Sequence, residues 1–226
     1  TKEMISMKKV ELLCPVGNKD MLYQAIHNGA DAVYLAGKRF GARKFANNFS
    51  DSELISAIEY SHLYGVKVYV TVNTMIYMSE VSSVMDYLKF LYINGVDAVI
   101  MQDIGLIKLA REKISGLEIH ASTQCHNHNK EQISLLKDMG VTRVVMAREM
   151  SLNEIKSIDV DIEKEVFVYG ALCVCYSGCC LFSSMNGGRS GNRGECVGSC
   201  RLPYKLMCDD KEIDCEDEYL LSTRDL

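Results

Sequence analysis

Asn28-Gly29-Ala30-Asp31-Ala32-Val33-Tyr34-Leu35 returns later in the chain as Asn94-Gly95-Val96-Asp97-Ala98-Val99-Ile100-Met101. Looser copies stand at Tyr64-Gly65-Val66-Lys67-Val68-Tyr69-Val70 and at Met139-Gly140-Val141-Thr142-Arg143-Val144-Val145-Met146. In each copy a glycine ends a stretch of helical apolar spacing, and a short β-branched run follows. Glycine takes the left-handed backbone that closes a helix. An apolar run without polar alternation is a strand buried on both faces, as a parallel sheet requires. The phrase is a helix–turn–strand junction used four times.

Working outward from these junctions, strands are expected near Val10–Leu13, Ala32–Leu35, Val66–Val72, Ala98–Met101, Leu117–Ala121, Arg143–Met146 and Glu165–Tyr169. Helices are expected near Lys19–Asn28, Asp51–Tyr64, Glu80–Asn94, Ile104–Lys113, Lys130–Met139 and Leu152–Ile158. Ser50 with Glu53, and Ser151 with Glu154, predict capping boxes. Strands alternating with helices predict an α/β chain with a parallel sheet. An open doubly wound sheet and a TIM-barrel-like (β/α)n ring compete. No G-x-G-x-x-G follows the first strand, where Cys14-Pro15-Val16-Gly17-Asn18 makes a different turn. Polar residues follow the later strands: Asn73, then Gln102 and Asp103, then Ser122, Thr123 and Gln124, then Arg148 and Glu149. Polar groups at the carboxyl ends of successive barrel strands converge on one mouth, so the barrel is preferred. With seven strands the barrel is expected to be incomplete, the chain being an N-terminal fragment of a longer protein. Residues 1–172 form the expected barrel core. Residues 173–226 form a Cys/Gly-rich, cluster-binding segment and a hairpin (Tyr204–Cys208 with Glu218–Leu221) packed on the mouth.

Of the 226 residues, 48% are hydrophobic and 24% charged, which excludes a disordered chain. Net charge is −5, no signature of a non-specific nucleic-acid binder. Asp209–Tyr219 alone carries seven acids and one lysine, the pattern of a solvated loop or hairpin tip. Thr1–Met7 reads as an added or frayed end ahead of Lys8. No basic–apolar–small leader and no membrane-length apolar run is visible, so a cytoplasmic protein without a membrane span is expected. Such a compartment keeps thiols reduced.

That matters because eight of the 10 cysteines fall between Cys173 and Cys215. Thiols clustered in a reducing compartment point to metal binding more than to disulfides. The spacing is Cys173-x6-Cys180-x15-Cys196-x3-Cys200, with Cys175 and Cys179 inside the first gap. Structural zinc usually uses two short C-x2–4-C knuckles. Only one is present, so the spacing leans toward a [4Fe–4S] cluster, with zinc as the alternative occupant. Gly187, Gly188, Gly191, Gly194 and Gly198 let backbone approach such a centre. Arg189, Arg193, Arg201 and Lys205 stand among them, and arginine forks suit carboxylate or phosphate.

For proton transfer the candidates are Glu149, after the sixth strand, and His120, which ends the fifth strand near Cys125 and the expected mouth. His27 and His62 lie on helices, at the surface. A Cys125 dyad with His120 or His126, and a His126/His128/Cys125 metal group, are the alternatives. No H-E-x-x-H helix or G-x-S-x-G elbow is present.

Glu165-Val-Phe167-Val-Tyr-Gly170-Ala171-Leu172-Cys173-(x4)-Gly178-x-Cys180-Leu-Phe-Ser183 closely resembles the signature of the peptidase family U32 proteins, the collagenase-like peptidases. Further matches are Glu11-Leu12-Leu13-Cys14-Pro15-x-Gly17-Asn18, Gly29–Tyr34, His120-x-Ser122-Thr123-Gln124, Ala147-Arg148-Glu149 and Gly188-Arg189-x-x-Asn192-Arg193-Gly194-x-Cys196. The resemblance runs from about Lys8 to Leu226. It implies either a peptidase or an iron–sulfur protein that hydroxylates a substrate without O2. Implied substrates are a wobble uridine of tRNA, a cytidine of rRNA or a small aromatic ubiquinone precursor, with prephenate as an oxygen donor in the RNA branch. The implied cluster ligands are Cys173, Cys180, Cys196 and Cys200. Asn73, Gln102, Gln124 and Arg148 would position the substrate, and Arg189 and Arg193 would bind carboxylate or phosphate. Partners would be RNA, and a further subunit or the C-terminal remainder of the protein. Relatives continue well past a segment like Ser222–Leu226. The chain departs from the pattern at Gly198-Ser199, where relatives often show Gln-Pro, at Phe182, and at Cys175 and Cys179, which add thiols able to compete as ligands. A non-catalytic, metal-stabilised assembly module is the third reading.

Overall fold

A computed structural model describes residues 10–215 and 218–223. The expected frayed start at Thr1–Met7 lies outside the described residues. So do Glu216 and Asp217 of the acidic run, and Arg224–Leu226.

Seven short strands form one parallel sheet: β1 (Leu13–Pro15), β2 (Ala32–Leu35), β3 (Lys67–Val72), β4 (Ala98–Met101), β5 (Ile119–Ala121), β6 (Arg143–Val145) and β7 (Glu163–Glu165), in sequence order across the sheet. Between them run α1 (Lys19–His27), α2 (Asp51–Leu63), α3 (Val81–Ile93), α4 (Ile104–Lys113), α5 (Lys130–Asp138) and α6 (Leu152–Ser157). The repeated glycines do what the sequence asks: Gly29, Gly65, Gly95 and Gly140 have φ of 94°, 70°, 81° and 88° and turn each helix into the next strand. Both expected capping boxes form, at Ser50/Glu53 and Ser151/Glu154.

The central strands β2–β6 are buried on both faces, whereas the edge strands β1 and β7 are partly exposed. Val33, Val68, Val70, Val99, Ile119 and Val144 join the main core with helix residues such as Leu54, Leu88, Ile107 and Leu136. The alternate residues Ala32, Tyr69, Ala98 and Ile100 make a second, smaller cluster on the opposite face. That face is the inside of a curl. Arg143 on β6 reaches Glu11, just before β1, with Nη1 2.6 Å from Oε1, and also holds Glu163 with Nη2 2.7 Å from Oε2. Tyr69 on β3 donates to the same Glu11 carboxylate at 2.9 Å, and the Arg143 guanidinium lies 5.1 Å from the Tyr69 ring centre. Side chains of β3, β6 and the β1 lead-in meet only if the sheet wraps around a lumen. The fold is therefore an open, TIM-barrel-like arc of seven β/α units, its floor closed by an ion-pair cluster.

Four expected boundaries move. β1 starts at Leu13 and not Val10, and β5 at Ile119 and not Leu117. β7 is Glu163–Glu165, not Glu165–Tyr169, because its partner β6 ends at Val145, paired with Glu165, and offers no further ladder. Val168 and Tyr169 are exposed accordingly. The hairpin is β8 (Leu206–Cys208) with β9 (Lys211–Ile213), not with Glu218–Leu221. Its two-residue turn is Asp209-Asp210, with φ of 47° and 61°. A tight hairpin needs this left-handed pair, and aspartate tolerates it. Among the described residues, no helix is long and apolar enough to cross a membrane.

Candidate functional site

The Cys/Gly-rich segment contains α7 (Phe182–Gly187) and two single turns, Gly191–Arg193 and Ser199–Arg201. Three clasps tie it to loops at the carboxyl ends of the strands. Arg193 forks onto Glu80, with Nη2–Oε1 2.7 Å and Nη1–Oε2 2.9 Å, and donates to Met75 O at 2.6 Å. The second clasp is on the β2–α2 loop. Lys44 N donates to Gly194 O at 2.9 Å, and Lys44 Nζ lies 2.7 Å from Glu195 Oε1. In the third, Arg148 donates to Ser177 Oγ through Nη2 (2.8 Å) and Nε (3.1 Å), while Ser177 N donates to Glu149 Oε1 at 3.4 Å.

Gly194 is the tight point. Its φ is 80°, and a Cβ there would stand 2.4 Å from Gly41 O. Gly194→Ala is expected to open this clasp at a cost of about 1–3 kcal/mol, since left-handed strain adds to the clash. Limited proteolysis should then cut earliest in residues 36–48 and 188–202; a digestion pattern like wild type would contradict the clasp.

The expected site residues separate by role. Asn73 Oδ1 accepts Ala42 N at 3.1 Å and so holds the β2–α2 loop. Gln102 is 6% exposed and its Oε1 is buried without a partner among the described residues. Gln124 lies in a turn beneath Gly178, where a Cβ would come within 2.3 Å of Gln124 O. Arg148 and Glu149 anchor Ser177. The Arg189 guanidinium lies 4.5 Å over the Phe45 ring. Arg193 makes with Glu80 the fork expected for a substrate carboxylate. His120 is not at the mouth. It is mid-strand in β5, 0% exposed, edge-on to Tyr69 at 4.7 Å between ring centres, and its Nε2 lies 3.3 Å from Glu118. Burial lowers its pKa despite that carboxylate. The period-2 alternation that points it inward also seats it low, beside the Arg143 cluster.

Cys125 is no nucleophile: it is buried, donates to Gln102 O at 3.2 Å, and burial pushes its thiol up to about 12. The His126 ring pairs instead with Cys179, Nε2 to Sγ 3.2 Å.

All described cysteines are free thiols. Four of them gather. Burial raises the Cys175 thiol, and a hydrogen bond with Cys180 and the nearness of Cys200 and Cys173 add to it. Cys196 stands on the other side of Gly191, facing Ser183 Oγ at 3.9 Å and accepting Gly198 N–H at 3.3 Å. A Cβ on Gly191 would meet Cys180 O at 3.7 Å and Cys196 Cβ at 3.9 Å, so this glycine lies between the two ligand loops. The donor set suits a thiophilic centre: five thiols of one segment, with a backbone N–H already on one sulfur. They are gathered but not arranged as a coordination shell. Among the described residues, no three His, Cys, Asp or Glu groups stand in a metal-holding arrangement.

Two features escaped the sequence reading. Glu165 faces the lumen at the end of β7. Its carboxyl is pushed above the usual range by burial, against the pull of Arg143 3.5 Å away. A charged residue in a strand was the signal. The other is Lys38-Arg39-Phe40-Gly41-Ala42-Arg43-Lys44-Phe45, where cations interleave with aromatics on the loop after β2.

Comparison with known proteins agrees with this architecture. A solved U32 peptidase superposes with a TM-score of 0.62 at 15% identity, over 74% of this chain and 71% of that one. A 23S rRNA 5-hydroxycytidine synthase of Escherichia coli (strain K12) is 41% identical over 98% of this chain and 34% of its own length. An uncharacterized protease of Methanocaldococcus jannaschii is 42% identical over 97% of this chain and 56% of its own. A tRNA hydroxylation protein of Bacillus subtilis (strain 168) is 40% identical over 90% and 49%. The chain thus spans between a third and just over half of these relatives. The family model for peptidase family U32 matches residues 17–226, and the chain belongs to that family.

Proposed function

We propose that the protein of which this chain is part hydroxylates an RNA base without O2, using a [4Fe–4S] cluster held by Cys173, Cys180, Cys196 and Cys200. The observation that carries the reading is the gathering of thiols in a segment clasped over the carboxyl ends of β2, β3, β5 and β6. Bound there, such a cluster supplies redox and Lewis-acid chemistry beside the lumen. The chain's own residues do the rest. The unpartnered Gln102 Oε1 accepts an N–H from the base, since a buried acceptor left alone is costly. Asn73, Gln124 and Arg148 hold the loops that frame the base. Arg189 offers charge to a phosphate or to the carboxylates of a donor such as prephenate. Glu149, at the surface of the β6 exit, exchanges protons with solvent. Glu165, whose pKa burial raises against the pull of Arg143, is the better-placed proton-transfer group within the lumen, and it takes over the role first expected of His120.

The test is nucleoside mass spectrometry of tRNA and rRNA from cells with and without the full-length protein. A nucleoside heavier by one oxygen should vanish on deletion and return on complementation. An unchanged profile in both RNA classes would overturn the reading. A peptidase reading has one observation in its favour, the Cys179–His126 pair. Among the described residues no third side chain holds that imidazole, as a nucleophilic pair requires. Casein hydrolysis that disappears in Cys179→Ser would support it.

A further inference from the structure

The rim formed by the β2–α2 loop and the loop after β3 carries two aromatic rings that the core does not use. Phe45 is 64% exposed and Tyr77 61% exposed. Each is backed by a guanidinium from the clasped segment, Arg189 at 4.5 Å from the Phe45 centre and Arg193 at 4.0 Å from the Tyr77 centre. Those contacts fix the rings as platforms and leave most of their surface to solvent. The loop that carries Phe45 has charge of one sign, while Glu80 and Glu195 at the neighbouring cavity are taken up by Arg193 and Lys44. Between Gly37 and Asn48 the loop has four cations and no acid, in a chain whose net charge is −5. Among the described residues, Lys38 and Arg43 form no ion pair, whereas Lys44 is held by Glu195 and Arg39 by Asp51. Beside the rings is a cavity of about 170 Å³ lined in part by Lys38, Arg39, Lys44 and Arg193.

We infer that Phe45 and Tyr77 are stacking platforms for unpaired bases of an RNA strand, whose phosphates are held by Lys38 and Arg43. This rests on the RNA reading above and adds which face grips the strand and in which state. An aromatic ring accepts any base face, provided that face is not already covered by pairing neighbours, so stacking selects single strands, loops and bulges. Cations on the same loop as Phe45 suit the phosphates of such a strand and make binding salt-dependent. An apolar protein partner would leave the unpaired cations of the rim desolvated and uncompensated, and a duplex offers no open base to Phe45.

The experiment uses the full-length protein and fluorescence anisotropy with a labelled pyrimidine-rich RNA oligonucleotide, alone or annealed to its complement. The single strand should bind at least about ten-fold tighter than the duplex. Phe45→Ala should weaken single-strand binding by about ten-fold or more, and Phe45→Trp should restore it. Lys38→Gln and Arg43→Gln should each lower the slope of log affinity against log salt by about 0.7. Far-UV circular dichroism and thermal melting of each variant check that the fold is intact. Equal binding of duplex and single strand, or an effect of Phe45→Ala that is the same on both, would overturn the platform. Nucleoside profiling of cells carrying Phe45→Ala separates the two failures. Hydroxylation lost only on gene deletion, with Phe45→Ala binding and modifying like wild type, removes the platform and keeps the activity. No hydroxylated nucleoside in wild type removes the activity itself, whatever the oligonucleotide does.

Discussion

Incubated with iron and sulfide under strict exclusion of oxygen, the protein should acquire a broad absorbance near 400 nm and about four iron atoms per chain. Cys180→Ala and Cys200→Ala should each abolish both signals. Cys180 lies two residues ahead of α7 and Cys200 sits in the turn Ser199–Arg201, so each is at or beside a short element. Both also lie against Cys175. The informative pair is Cys175 against Cys196. The family resemblance assigns Cys196, yet Cys175 is the thiol found in contact with Cys180. Cys196 must leave Ser183 and turn past Gly191 to join them, and the absence of a side chain on Gly191 leaves it room. Iron should therefore survive Cys175→Ala and be lost in Cys196→Ala. The reverse pattern would give this chain a ligand set of Cys173, Cys175, Cys180 and Cys200. Iron retained in all four variants would remove the cluster. Because ligation draws the two loops together, melting temperature should rise on loading in wild type and in Cys175→Ala alike.

What the sequence discloses follows from how local each cause is. The four glycine junctions, the capping boxes at Ser50 and Ser151 and the helix spans depend on a few neighbouring residues, and all are found within a residue or two of the expected positions. β7 and the hairpin depend on what lies alongside. An apolar run such as Val166–Tyr169 reads as a strand by itself, but β6 provides no partner for it. The site shows the same division. Residue types at strand ends were legible as a set, while their tasks were not. Arg193 answers to Glu80, Arg148 and Glu149 answer to Ser177, and each partner lies far off in sequence. His120 looked catalytic because it was expected to end the fifth strand near Cys125 and the mouth, yet the register with Ile100 and Arg143 places it inside the floor. The thiols were visible by spacing. That Cys175 sits nearer the others than Cys196 depends on α7 and on the path around Gly191, which spacing does not encode.

Arg143→Ala should be among the most damaging single substitutions in the molecule, with a loss of about 3–5 kcal/mol of stability at neutral pH, because it leaves Glu11, Glu163 and Glu165 close together with only Lys67, 3.6 Å from Glu11, as a cation beside them. Its pH dependence separates this cause from lost packing. In the wild type, burial raises the Glu11 carboxyl but Arg143 and Tyr69 outweigh it, so its folded pKa lies below the ordinary 4.5. A depressed carboxylate contributes stability above its unfolded pKa, and that stability is lost as pH falls through the folded value. Glu165 has the opposite sign. Its folded pKa is raised, so its contribution is full below the ordinary value and is lost as pH rises through the folded one. In wild type the two tendencies oppose each other. Without the guanidinium, burial and mutual repulsion act on both groups in the same direction. Glu11 keeps Tyr69 and Lys67 against burial, Glu165 keeps nothing, and both folded pKa values rise from where wild type holds them, so the variant loses less stability on acidification than wild type does. The gap between wild type and Arg143→Ala, read from urea midpoints, should therefore narrow from pH 7 to pH 5. Glu11→Gln in the Arg143→Ala background should recover part of the loss at pH 7 by removing one of the repelling charges. A gap of equal size at both pH values would mean that Arg143 serves as filler over Tyr69 and not as the cation that ties the open edges of the arc together.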